Sequence, residues 1–348
     1  MNAGGGGPAL GVTFGRPATA GRRTASNLQV IGVYVALAAM WIVLSLASPY
    51  FFTLQNVSNL LIAGSSIALI GAGLTIVLIA GEIDISFAAM QAFVGSTAAV
   101  LMVNAHWPWP LAVVLALSAG TLAGVTSGFV AVFGHLPTFI TTLAMLGIVQ
   151  GAAYLMTNGQ AIGGFPDQYQ LLGSVFVGPV PLSMIVVAVL YLLLVLMMRN
   201  TVFGLRIYAV GGNRNAASVV GINWQRVVVG VLGLSGLLAA VSGIIITSRL
   251  GAASGSYGAD DLLPAVAGVI IGGTSLNGGV GSLIGTFGGI MIIVTINDGL
   301  VLLNVSQFWQ QLVVGVIIMA AVLIDQATRG YLNTAWLPAF VRRQSPRI

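Results

Sequence analysis

Residues 58–86 read SNLLIAGSSIALIGAGLTIVLIAGEIDIS. From Ser58 to Ala80 the stretch carries no charged side chain, and soon after it come two carboxylates, Glu82 and Asp84. A helix needs about 20 predominantly apolar residues to cross a hydrocarbon layer roughly 30 Å thick, so this run is long enough to span a bilayer. The whole chain repeats the pattern. Of its 348 residues, 57% are hydrophobic and only 5% charged, whereas a soluble domain carries about a quarter.

Marking every such run predicts about ten spans, at residues 28–48, 58–80, 84–104, 110–133, 138–157, 180–198, 226–248, 262–276, 281–299 and 306–325. The predicted fold class is therefore all-α, a polytopic membrane helix bundle, because helices satisfy their own backbone in lipid. The first run is too long for the apolar core of a signal peptide and reads as an uncleaved span. Residues 1–27, with Gly4 to Gly7 in a row, Pro8, Pro17, Arg16, Arg22 and Arg23, are expected to form a disordered cytoplasmic tail. Residues 28–325 form the membrane domain and 326–348 a cytoplasmic C-terminal tail. Positive residues stay on the cytoplasmic side of short loops. With both termini cytoplasmic, eleven of the twelve arginines fall inside and only Arg249 outside, while Asp167, Asp260, Asp261 and Asp298 fall outside.

Composition also excludes chemistries. Without lysine the chain has neither a Schiff-base residue nor the GxxxxGK[ST] loop that cradles nucleotide phosphates. Without cysteine it has no disulfide and no thiolate ligand. His106 and His135 stand apart, outside any HExxH spacing, so no metal site and no catalytic residue is expected. The arginines are spread among membrane loops rather than gathered into a nucleic-acid-binding patch.

Small residues recur every fourth position: Gly120, Gly124 and Gly128 in the fourth span, Gly281, Gly285 and Gly289 in the ninth, with single pairs Gly147/Gly151 and Gly268/Gly272. Such spacing lets helix backbones approach closely in lipid.

Polar residues concentrate in three places. The segment 199–226, RNTVFGLRIYAVGGNRNAASVVGINWQR, holds four arginines, a turn at Gly211, Gly212 and Asn213, a helix-compatible run from Ala216 to Val220 and a stop at Gly221 and Ile222. It reads equally as a protruding knob for a soluble partner or as an ordinary positive-inside loop. Glu82 and Asp84 border hydrocarbon, where ionisable residues mark pathways or gates; Asp84 also suits a helix start. The third place is GGTSLNGGVGS, 272–282, which breaks the apolar pattern so that Ser275 and Asn277 are candidates to line a cavity, with Asn297 a further pathway candidate. A similar break around Gly81 suggests an internal repeat. On the outer side, 158–181 and 249–262 are candidate docking surfaces.

The segments YAVGGNRNAASVVGIN (208–223), GLLAAVSGIIITSRLGAASGSYG (236–258), AVAGVIIGGTSLNGGVGSLIGT (265–286) and INDGLVLLNVSQFWQQLVVGVIIMAAVLID (296–325) together resemble the membrane permease of bacterial carbohydrate-importing ABC transporters of the ribose, xylose and autoinducer-2 type. GEIDIS (81–86) and FITTLAMLGIVQG (139–151) look like the same family's first-half signatures. The resemblance implies a non-enzymatic subunit of the bacterial inner membrane, paired with a second permease chain as a homodimer or heterodimer. It also implies cytoplasmic ATPase subunits holding ATP and Mg, and a periplasmic binding protein that delivers a sugar. Within 199–226 it implies a coupling helix, Ala216, Ala217 and Gly221 matching an Ala-Ala-x-x-x-Gly core, with Asn215 where the longer motif has an acid. The competing expectation is an ion-coupled transporter or channel using Glu82 and Asp84.

Overall fold

The computed structural model describes residues 19–328; residues 1–18 and 329–348, which hold most of both expected tails, lie outside the described residues. The chain runs α1 (Thr19–Ala47), α2 (Leu54–Ile79), α3 (Phe87–Ala99), α4 (Trp109–Phe133), α5 (Thr138–Thr157), β1 (Ile162–Gly163), α6 (Asp167–Ser174), β2 (Phe176–Val177), β3 (Val180–Pro181), α7 (Leu182–Asn200), α8 (Val202–Gly212), α9 (Arg214–Val219), α10 (Trp224–Leu250), β4 (Ala252–Ala253), α11 (Leu262–Ile271), α12 (Leu283–Leu302) and α13 (Gln307–Thr328). Helix α1 begins at Thr19, so residues 19–27, expected as tail, are helical.

Among the described residues, eight helices are long and apolar enough to cross a membrane. The ten expected runs all contain helix, and the last, expected over 306–325, lies in the 22-residue α13. One is much shorter than expected. The eighth, expected over 262–276, is the ten-residue α11, about 15 Å at 1.5 Å per residue. The reason lies ahead of it. After α10 ends at Leu250 the chain does not stay at the surface but turns back beside α3. There a Cβ on Gly258 would press into the Ala88 carbonyl and lie 3.1 Å from the Gln91 side chain, and Gln91 itself accepts from Ser242 Oγ at 3.3 Å, two turns below the end of α10. Residues 251–261 thus lead into α11 without forming α-helix. In the third run residues 82–85 likewise form neither helix nor strand, and α3 starts only at Phe87.

Helix α2 is the hub, with 94% of its apolar window buried against 6% for α1 at the rim. Its sequence explains this: Gly64, Ser65, Ser66, Ala68, Gly71, Ala72, Gly73 and Thr75 present small atoms on every side, and a helix apolar all round belongs inside a bundle. Their hydroxyls are spent locally or on neighbours, as with Thr75 and Thr286 Oγ1 at 2.6 Å. Around α2 stand α7, α10, α11 and α12.

Glycine decides the closest crossings. On α4, Gly124 backs onto the Leu232 carbonyl of α10, Gly120 faces Gly236 and Ala240, and a Cβ on Gly128 would lie 2.8 Å from Val229 Cα. Gly268 and Gly272 of α11 meet Gly285 and Gly289 of α12 in the same way. Gly281 does not belong to this stripe, because α12 begins at Leu283 with Ser282 as its N-cap, accepting from Gly285 N at 3.1 Å; Gly281 instead sits against Ile79 and Thr274. Among the described residues nothing lies within 4 Å of a Cβ added on Gly147 or Gly151. Gly124→Leu is therefore expected to cost about 2–3 kcal/mol through overpacking, and Gly147→Leu almost nothing. Thermal unfolding in detergent compares the two.

Candidate functional site

The connections α2–α3, α4–α5, α7–α10 and α11–α12 gather at one end of the bundle. Three of the helices arriving there end alike. Gly81, Gly221 and Gly273 take φ of +79°, +82° and +87°, and around each the chain makes the paired bonds of a Schellman motif: Glu82 N to Val77 O, Ile222 N to Ala217 O and Thr274 N to Val269 O, 3.0–3.2 Å. Only glycine adopts that backbone without strain, so each stop is written in the sequence.

Between α7 and α10 the chain forms a compact knob. Thr201 caps α8, accepting from Gly204 N at 3.2 Å. Asn213 ends α8 and caps α9, its side chain accepting from Ala216 N at 2.9 Å, and Asn223 does the same for α10 with Arg226 N at 3.0 Å. Of the residues singled out in this loop, Ala217 is buried beneath α9 while Gly212, Asn213, Ala216 and Gly221 are exposed. At the tip, Val219 and Val220 are 88% and 74% exposed. The capped helix thus ends in two bare valines.

Gly211 fixes this knob to the bundle. Its Cα faces the Ile79 carbonyl so closely that no side chain fits, and Gly279 N donates to the same carbonyl at 2.9 Å. A Cβ on Gly278 would lie 2.7 Å from Gly211 O and 2.9 Å from Gly81 Cα. Tyr208 Oη adds a bond to Gly281 O at 3.1 Å. Three loops distant in sequence thus touch backbone to backbone.

Beside the junction lies a cavity of about 340 Å³ lined by Glu82, His135, Thr138, Arg214 and Trp224, among others. Glu82 is 7% exposed. It is ion-paired with Arg214 and accepts from Thr138 Oγ1 at 2.7 Å, while the Arg214 guanidinium lies 4.5 Å over the Trp224 ring. Asp84 is buried separately: Oδ1 accepts from Ser86 N and Oγ at 2.8 and 2.7 Å, and Oδ2 from Ser235 Oγ of α10 at 2.7 Å.

The other pathway candidates are not gathered here as a lining. Ser275 is buried and bonded within its own turn, its Oγ accepting from Asn277 N at 3.1 Å, and Asn277 is exposed at the tip. Asn297 lies toward the opposite end, next to Asp298, which accepts from Asn56 at 2.8 Å. At that end β1 pairs antiparallel with β4, Ile162 opposite Ala253, so the two long outer connections form one surface. Arg214, His135 and Trp224 were not singled out from sequence. The only signal was that a carboxylate this close to hydrocarbon needs a cationic partner.

A multi-pass helical membrane protein with a rigid knob fastened to one end has the build of a transport component worked by something outside the membrane. Residues 56–322 match the family described as branched-chain amino acid transport system / permease component, and the chain belongs to that family. It is 38% identical over 302 residues to the probable ABC transporter permease protein YphD of Escherichia coli (strain K12), covering 86% of this chain and 90% of that protein. It is 37% identical over 301 residues to the ribose import permease protein RbsC of Bacillus subtilis (strain 168), covering 86% and 93%. To the xylose transport system permease protein XylH of Escherichia coli (strain K12) it is 31% identical over 365 residues, covering 87% and 93%. No solved structure matches the chain.

The junction makes a sharp contrast between adjacent glycines. Gly211→Ala drives a methyl group into the Ile79 carbonyl and is expected to destabilise by about 3 kcal/mol. Gly212, with nothing within 4 Å of an added Cβ, should tolerate alanine within about 0.5 kcal/mol. Thermal unfolding of the two variants in one detergent reads the difference.

Proposed function

We propose that this chain is the membrane-spanning subunit of an ABC importer of the bacterial inner membrane, moving a sugar or similar neutral polyol that a periplasmic binding protein delivers. ATP and Mg are held by a separate cytoplasmic subunit. The observation that carries this reading is the exposed Val219–Val220 tip on a capped helix locked to the bundle at Gly211. A chain without a nucleotide-binding loop needs such a rigid element for an ATPase to push. The names of the ribose and xylose relatives support a carbohydrate substrate, and the scarcity of intramembrane charge suits a neutral one.

The finer topology belongs to the same reading. Ten crossings with both ends cytoplasmic put the knob inside together with eleven of twelve arginines. Two such chains, identical or not, would sit on two ATPase subunits, with α9 seated in each, and the surface joined by β1 and β4 would meet the binding protein. Ion coupling is the weaker reading, because Glu82 is held by Arg214 and Asp84 by Ser86 and Ser235, leaving neither free to carry protons.

In proteoliposomes holding the full complex, uptake of a radiolabelled pentose or other neutral sugar is expected to require ATP and the binding protein and to ignore a proton gradient. Uptake on the gradient alone overturns the reading. Gly221→Val strains a backbone at φ +82° by about 1–3 kcal/mol, and should lower transport per ATP hydrolysed while the protein still inserts. Unchanged coupling counts against α9 as the ATPase contact.

A further inference from the structure

Residues 82–85 have no helix or strand of their own, yet several polar groups along them are tied to α5, α9 and α10. Glu82 holds Arg214 of α9 and Thr138 of α5. The Ile83 N–H donates to Thr138 Oγ1 at 3.3 Å, and the Ile83 carbonyl accepts from Thr142 Oγ1 at 3.2 Å. Ile85 N reaches the same Thr142 hydroxyl at 3.4 Å. Asp84 holds Ser235 of α10 and the first turn of α3. Burial alternates along the segment: Glu82 and Asp84 are buried while Ile83 between them is exposed.

Arg214 is the first residue of α9 and the cap residue Asn213 is the last of the α8–α9 turn, so the ion pair starts where the knob starts. Covalently, α9 leads only into α8 and α10. Contact through Gly211 adds α2 and the 278–279 turn. The ion pair is a direct side-chain link from α9 to the 82–85 segment, and through it to α5 and α3, beside the separate route from α9 through α10, which packs on α3.

We infer that Glu82 and Arg214 form a transmission pair, carrying displacement of α9 into segment 82–85 and so into α3 and α5. This deepens the proposed function and rests on it. Several features suit the pair to the task. Glu82 is buried and hydrogen-bonded on its second oxygen, and Arg214 is sandwiched between the carboxylate and the Trp224 ring. The pair is anchored from the carboxylate side, Glu82 being buried while the Arg214 side chain is 41% exposed. The segment they join is irregular backbone, which absorbs a hinge motion in a few φ and ψ angles.

The test uses the complete transporter in proteoliposomes and reads sugar transported per ATP hydrolysed. Glu82→Gln and Arg214→Gln are each expected to lower that ratio by about tenfold, within the usual range of a coupling free energy, while the complex still assembles and hydrolyses ATP. The double variant E82Q/R214Q should be no worse than either single, because both singles break one link. Thr138→Val should fall between wild type and the singles. An unchanged ratio in the singles overturns the proposal, as does additive loss in the double variant. Loss of assembly or of ATP hydrolysis in the singles also overturns it, making the pair a folding element. If wild-type protein shows no ATP-driven uptake, the functional reading itself has failed, and that result is separate from any variant.

Discussion

In hydrocarbon no water pushes helices together, and this bundle depends on backbone meeting backbone where glycine leaves room. Gly124 against Leu232, Gly289 against Gly268 and Gly211 against Ile79 are the same interaction used three times. In the first two it welds pairs of helices. In the third it fastens an aqueous knob to the membrane core, where no long side chain is needed and little slack remains. The charged contacts are secondary in number but lie beside that weld, which is why Glu82, among the few acids of the chain, is placed so close to Arg214.

The fold was largely readable because apolar length and the positions of charge report directly on the bilayer. Each expected run contains a helix, and the glycine stops at Gly81 and Gly273 mark where two of them end, as Gly221 does for the loop helix α9. The failures have physical causes. Glycine spacing was read as helix packing at Gly281, but Ser282 caps the helix after it, and at Gly147 and Gly151 the spacing is present with nothing within 4 Å of an added Cβ among the described residues. The short α11 was visible as a weak run. Its cause was not, since the turning-in of 251–261 depends on a meeting with Gln91, far away in sequence.

The site was readable in pieces and not as a whole. The 199–226 loop, the GEIDIS segment and 272–282 each stood out by composition. Nothing local reveals that they converge, because the contacts run between residues 132 positions apart, as with Glu82 and Arg214. Nor does residue type show where a side chain stands: Ser275 and Asn277 share a turn, and Asn297 lies toward the other end of the bundle. Position along the membrane normal, rather than chemistry, separates these roles.

The two interrupted apolar runs have a mechanical consequence. A transmembrane helix is a rod whose length is set by its hydrogen bonds, so it tilts, turns or slides but does not lengthen. Segments 82–85 and 254–258 are the places where an apolar run is continued by backbone outside any helix or strand, one at each end of the bundle. Stiffness is therefore uneven by design of the chain: the rods and their glycine welds carry load, and the compliance sits in two short stretches that can change span by bond rotation alone.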